Sequence, residues 1–252
     1  MIKFFRKTRQ KLLSGNKFKK YLMYSLGEII LVVLGILIAL TINNWNENSK
    51  KLNEEAILLN SLEQDFIENK KRLHTTIDYQ RQMIRFSNSL IQIITSDQLQ
   101  TVSQDSILKL KAFGANSWFR AELVNSTFET VISSGKGDVL RNLGLKKMLI
   151  EFSTDLESGF EDDYESKECL VYMNNISYPY EQYFMGQEDQ ESFGIEISEE
   201  AVSESVYELF SNKAYLGALI NKTGIESGRL DYQKKLLDQT DAILAEIRLE
   251  KE

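Results

Sequence analysis

The sequence predicts an all-α fold: one N-terminal transmembrane helix followed by an extended antiparallel helical bundle. Three observations carry that expectation. Tyr21 to Ile42 form an apolar run of 22 residues in which Glu28 is the only charged side chain. Beyond it, apolar residues recur over long stretches at alternating three- and four-residue steps, the spacing of one face of a helix. The chain also has only one Pro and 13 Gly in 252 residues. Strands joined by tight turns need many of both, whereas long helices need almost none.

The apolar run has the length a membrane demands, since about 20 residues at 1.5 Å each cross a hydrocarbon core of about 30 Å. Its unbroken part, Ile29 to Leu40, covers only about 18 Å at that rise, so Tyr21 to Leu26 must be recruited. A cleaved signal peptide is the competing reading. The long basic region ahead of the run, and TINNWN where a small-x-small cleavage pattern belongs, favour a retained anchor. Eight basic residues and no acid precede Tyr21, while the 22 basic residues beyond the run face 36 acids, a balance of −14. Basic flanks stay in the cytoplasm, which places the N-terminus inside and the acidic bulk across the membrane. The expected parts are a basic cytoplasmic tail, 1–20, a transmembrane helix, 21–42, and an exported helical domain, 43–252.

Tyr21, Tyr24 and Trp45 fall at the two ends of the span, where amphipathic rings favour the headgroup layer, and are expected to anchor it. Ser25, Glu28, Val32, Gly35 and Ala39 follow 3-4-3-4 spacing and form one narrow stripe of small and polar side chains. Such a stripe lets a second transmembrane helix approach closely, with Glu28 hydrogen-bonded across the contact. The competing account has the Glu28 carboxylate reach the cytoplasmic headgroups near Lys19 and Lys20. Ile2 to Leu13 are spaced either as an amphipathic segment lying on an anionic leaflet or as a topology signal without fixed conformation.

In the exported part, Leu59, Leu62, Phe66, Leu73, Ile77, Ile84, Ile91 and Ile94 define a first long helix, with polar interruptions at Lys70, Gln80 and Ser87 that favour a bundle over a strict coiled coil. Ser103 is placed to cap a short helix through about Phe113, and Ser126 to Glu129 reads as a capping box. Gly135 to Asp138 end that helix; the glycine-flanked Lys136 lacks the strand and spacing of a phosphate loop. A third helix is expected from about Asn142 to Asn175, with Leu145, Leu149, Phe152, Leu156, Phe160, Tyr164 and Val171 inward. The acids Glu161, Asp162, Asp163, Glu165 and Glu168 then form its solvated side rather than a cation site. Pro179 ends that section, and Phe193 to Ile197 alternate enough for one short strand. The last helix is expected from Glu199 to Leu249, with a kink or break near Gly217, Gly224 and Gly228.

No cluster specifies chemistry. One histidine, His74, and one cysteine, Cys169, cannot build an ordinary zinc site; they are expected exposed and buried, respectively. No H-E-x-x-H, G-x-S-x-G or glycine-rich nucleotide loop occurs, so no catalytic residue, cofactor or metal is expected and the chain is read as a non-enzyme. Nucleic acid is excluded as a partner by the −14 balance of the exported part.

The stretch MIKFFRKTRQKLLSGNKFKKYLMYSLGEIILVVLGILIALTINNWNE resembles the opening of an uncharacterised family of single-pass proteins of the Bacteroidota, most closely in GEIILVVLGILIAL and INNWN. TFETVISSGKGDVLRN, Thr127 to Asn142, resembles that family's helix–glycine–turn–helix stretch less closely. The resemblance implies an inner-membrane anchor with a periplasmic helical domain, and it brings no catalytic residues. The expected role is a membrane-anchored scaffold or interaction module, working as a homo-oligomer or with another envelope membrane protein. The alternative is a periplasmic bundle that senses a ligand and signals through a membrane partner.

Overall fold

In a computed structural model of the chain, residues 18–135, 137–158 and 163–251 are described, and their regular elements are all helical. The basic segment Ile2 to Leu13 lies outside them, as do Lys136, Phe160, Glu161 and Asp162. The chain divides into two compact units, Met1–Ile57 and Leu58–Glu252. The first helix, α1 (Phe18–Thr95), runs through both.

Within the first unit, α1 contains the one stretch among the described residues that is long and apolar enough to cross a membrane, with a mean hydropathy of 2.5 and no part of it buried. Nothing in the sequence interrupts the helix here: no proline occurs, and Thr41 returns its hydroxyl to the Leu37 carbonyl at 2.8 Å, satisfying that group without leaving the helix.

Among its described residues, the second unit adds the C-terminal part of α1 to seven further α-helices: α2 (Gln104–Leu110), α3 (Ser126–Ser133), α4 (Leu143–Ser158), α5 (Asp163–Ser177), α6 (Gln187–Phe193), α7 (Glu199–Phe210) and α8 (Lys213–Lys251). Pairings of α1 with α8 run in opposite senses along the chain: Glu63 with Arg248, Lys70 with Asp241, Gln80 with Gln233, and Met83 with Lys222. The two helices are therefore antiparallel.

Their contacts separate into two apolar cores. The first joins Leu59, Leu62, Phe66, Leu73 and Ile77 of α1 to Leu145, Leu149 and Phe152 of α4 and to Leu236, Ile243 and Ile247 of α8, with the Phe66 and Phe152 rings edge-on at 5.0 Å. The second gathers Leu90, Ile107, Met173, Val206, Leu209, Phe210, Tyr215 and Leu219. Between them the inward positions become polar: Gln80 and Ser87 on α1, Asp163 and Ser166 on α5, and Lys222, Glu226, Arg229 and Gln233 on α8. Gln80 and Ser87, which sequence spacing marks as interruptions, lie on the buried seam itself. Ile84, Ile91 and Ile94 are only half-buried beside it.

Several expected details are corrected. The third helix is described in two parts, α4 up to Ser158 and α5 from Asp163, and the four positions between them lie outside the described residues. On α5, Tyr164 and Val171 are exposed, whereas Asp163, Ser166 and Met173 point inward, because polar partners on α8 set this helix's register. The last helix is two. Its break falls at Asn212, whose side chain accepts hydrogen bonds from the Ala214 and Tyr215 backbone amides at 2.8 and 3.3 Å as an N-cap, while Gly217, Gly224 and Gly228 lie inside a continuous α8. Phe193 ends α6, and no strand forms through Ile197; Gly194 closes the helix in the left-handed region at φ 66°. Helix α3 has no capping box. Its N-cap is Asn125, whose side chain contacts the Glu129 carboxylate instead. Ser103 does cap α2, which then widens into a π turn at Lys111–Ala115. There Gly114 lies so close to α1 that a Cβ would sit 2.7 Å from the Ser87 amide nitrogen.

Candidate functional site

The described structure offers three places where function can reside: the stripe on the apolar part of α1, the polar belt between the two cores, and the clefts beside that belt.

The stripe of Ser25, Glu28, Val32, Gly35 and Ala39 lies on a helix, as its spacing requires, and within its own unit no other element covers it. Glu28, Val32, Gly35 and Ala39 are exposed and Ser25 is half-covered; a Cβ added at Gly35 would meet nothing within 4 Å. Tyr21, Tyr24 and Trp45 are likewise exposed.

The polar belt was not foreseen from sequence. Glu226, fully buried, accepts hydrogen bonds from Gln80 at 3.0 Å, from Ser166, and from Arg229 at 2.9 Å. Arg229 Nε stands 3.1 Å from Asp163 Oδ1, an ion pair without hydrogen-bond alignment, and Arg120 holds the other Asp163 oxygen at 2.6 Å. The Trp118 ring carries Lys167 at 4.3 Å and the Arg229 guanidinium at 5.1 Å. Asp163 is therefore an internal counter-ion, not part of a solvated acidic face. The signal that marked it was its position: it falls where the inward face of α5 must pass.

The same belt pins a non-helical segment, residues 117–124, in which the Ser117 amide donates to the Gly114 carbonyl at 3.3 Å and side chains satisfy other backbone groups. Asn69 donates to the Val124 carbonyl at 2.7 Å and accepts from its amide at 2.6 Å. Arg72 donates to the Glu122 carbonyl at 2.9 Å, and Gln233 accepts from the Ala121 amide at 2.8 Å. Lys222 donates to the Ser117 carbonyl at 2.6 Å and touches the Met83 sulfur at 3.9 Å. Burial pushes the Lys222 ammonium down to about 8, with Glu226 pulling the other way.

Two clefts border the belt. One of about 810 Å³ opens between α1 and the segment from Val102 to Phe119, lined by Tyr79, Met83, Phe86, Ile93, Leu110 and Phe113. The other, about 980 Å³, lies between α5 and α8 and includes Cys169, Tyr172, Gly217 and Asn221. Cys169 is half-buried rather than buried, with the Asn221 amide 3.3 Å from its sulfur, and His74 is exposed. No group of three His, Cys, Asp or Glu side chains that could hold a metal is found among the described residues.

A family model described as a family of unknown function, DUF6090, matches residues 28–156, just over half of the chain. The chain belongs to DUF6090. The DUF6090 match begins at Glu28 and takes in most of the apolar run, the rest of α1 and the whole lining of the α1 cleft; Asp163, Lys222, Glu226 and Arg229 lie beyond it. No curated protein and no solved structure matches the chain.

Proposed function

We propose that this DUF6090 chain is a membrane-anchored scaffold or protein-interaction module without enzymatic activity. Its N-terminus is cytoplasmic, residues 21–42 span the inner membrane, and residues 43–252 form an extended antiparallel bundle in the periplasm. One observation carries the reading. The apolar stretch of α1 is exposed along its whole length in the folded chain, an area far beyond the patches that soluble monomers show to water, so lipid is its natural solvent. The stripe from Ser25 to Ala39 then supplies a face for a second copy or another envelope membrane protein, with small residues allowing close approach.

The test is twofold. A phosphatase fused after Glu252 is expected to be active, whereas a fluorescent protein at the same place that lights up in the cytosol overturns the topology. A Val32→Cys probe in a Cys169→Ser background is expected to crosslink neighbouring helices in membranes. Gly35→Leu with Ala39→Leu should abolish that crosslink, and undiminished crosslinking ends the helix-docking reading.

The α1 cleft favours a second reading, a periplasmic bundle that binds a small ligand and signals through a membrane partner, because its size and apolar lining are those of ligand pockets. A metabolite retained through purification, with no co-purifying protein, would support it over the scaffold.

A further inference from the structure

The least explained group in the domain is the Lys222 ammonium. The side chain is 1% exposed, and its polar contacts are the Ser117 carbonyl and the Met83 sulfur. No carboxylate lies within ion-pair distance of it among the described residues, since Glu226 is taken up by Gln80, Ser166 and Arg229. Buried cations are ordinarily paired, because an uncompensated charge in a low-dielectric interior is costly. Holding the 117–124 segment does not require a charge. Gln233 and Asn69 perform the same task at Ala121 and Val124 with neutral amides.

Both contacts of the ammonium, Met83 and Ser117, are also lining residues of the α1 cleft. The cation thus stands directly behind the cleft wall, and the side chain that separates them is a methionine, the most easily rearranged of apolar residues. In front of the wall are the rings of Tyr79, Phe86, Phe113 and Phe119. Phe113 stands 60% exposed at the mouth, and the volume of about 810 Å³ is within the range of small-molecule sites.

We propose that this cleft binds a single-chain amphiphile with a carboxylate head, the alkyl tail lying along Phe86, Ile93, Leu110 and Phe113 and the head reaching Lys222 when the Met83 side chain swings aside. The ligand then supplies the direct ion pair that Glu226, held by Gln80, Ser166 and Arg229, does not make with Lys222. The proposal goes beyond the scaffold reading and names a ligand for the sensor reading. Binding is measured in itself, so a chain that binds without relaying a signal upholds the site and sinks only the signalling.

The experiment uses the full chain in zwitterionic nanodiscs with Trp45→Phe, which leaves Trp118, next to Ser117 in the segment that walls the cleft, as the single indole. Brominated stearate is titrated as a quencher against brominated stearyl alcohol and a brominated alkyltrimethylammonium of equal chain length. Saturable quenching by the carboxylate, at least ten-fold tighter than by either control, is expected. Lys222→Met should remove that preference, bringing the carboxylate and alcohol affinities together, a discrimination that a merely structural lysine would not alter. If Lys222→Met does not fold, Phe113→Glu, at an exposed position, carries the test: it should abolish carboxylate quenching with the melting temperature unchanged. Equal binding of the three heads, no saturable quenching, or undiminished binding to Phe113→Glu overturns the proposal.

Discussion

The two stretches of α1 use one sequence grammar in two settings. From Ser25 to Ala39, and again from Leu59 to Leu90, side chains that differ from their neighbours recur at three- and four-residue steps. In the second stretch the repeat is inward: Asn69, Gln80 and Ser87 are buried among leucines, and Asn69 and Gln80 bond to partners 55 and 146 residues away. In the first, Glu28, Gly35 and Ala39 are exposed with the apolar residues around them. Helical spacing therefore identifies which side chains share a face. Whether that face is buried by the same chain, by another helix or by lipid depends on what surrounds it.

Substitutions can break this contrast. The largest effect is expected from Arg229→Met, which leaves buried Glu226 and Asp163 short of a cation and should cost about 3–5 kcal/mol, read from urea unfolding of the full chain. Leu73→Ala empties part of the first core and should cost about 2–5 kcal/mol. Leu31→Ala in the exposed stretch, the matched control, should leave that unfolding transition where it was. Gly114→Ala drives a methyl into the Phe86–Ser87 backbone, for an expected loss of about 1–3 kcal/mol, visible as a lower melting temperature.

A graded effect comes from pH. Lys222 has a folded pKa near 8, below its ordinary 10.5, owing to burial, with Glu226 and Cys169 opposing the shift and Arg229 adding to it. Between those values the unfolded chain binds more protons than the folded one, so stability should rise as pH increases from about 8 toward 10.5. Tyr215 acts in the other sense. Its pKa is raised, first by burial and then by Glu181, so the unfolded chain ionises first and stability falls above about pH 10. The window from 8 to 10 isolates the lysine, and Lys222→Met should flatten the curve there. At the bottom of the scale, Lys70→Ala removes a surface pair with Asp241 and should change stability by about 1 kcal/mol or less; a larger loss would mean that this ion pair belongs to the core.

Long helices and their apolar seams were legible because periodicity is local information. Leu59, Leu62, Phe66, Leu73 and Ile77, and Leu145, Leu149 and Phe152, are placed inward by spacing alone, and they are buried. The α5 register was not, since Tyr164 and Val171 look like core by apolarity and lose to Asp163 and Ser166, whose partners Arg229 and Glu226 are about 60 residues away. Glycines in α8 looked like breaks, but an exposed glycine in a helix costs only about 1 kcal/mol, which packing on either side outweighs. The break at Asn212 is a capping event whose signal, one Asn ahead of a helical pattern, is too common to single out. The belt and the cleft escaped for the same reason as the α5 register: each is assembled from segments that only tertiary structure brings together.

The pinned segment from Ser117 to Val124 has a consequence for how the chain is made. Two of its latches, Lys222 and Gln233, belong to α8, which leaves the ribosome about a hundred residues after the segment it pins. Domains tend to form as units during synthesis, and contacts far apart in sequence form late. Until α8 arrives, Leu73, Ile77 and Leu149 lack their lid, and the newborn protein is a target for proteases and chaperones. Loss of α8 would thus be felt about a hundred positions upstream, as a degradation phenotype rather than as a local change.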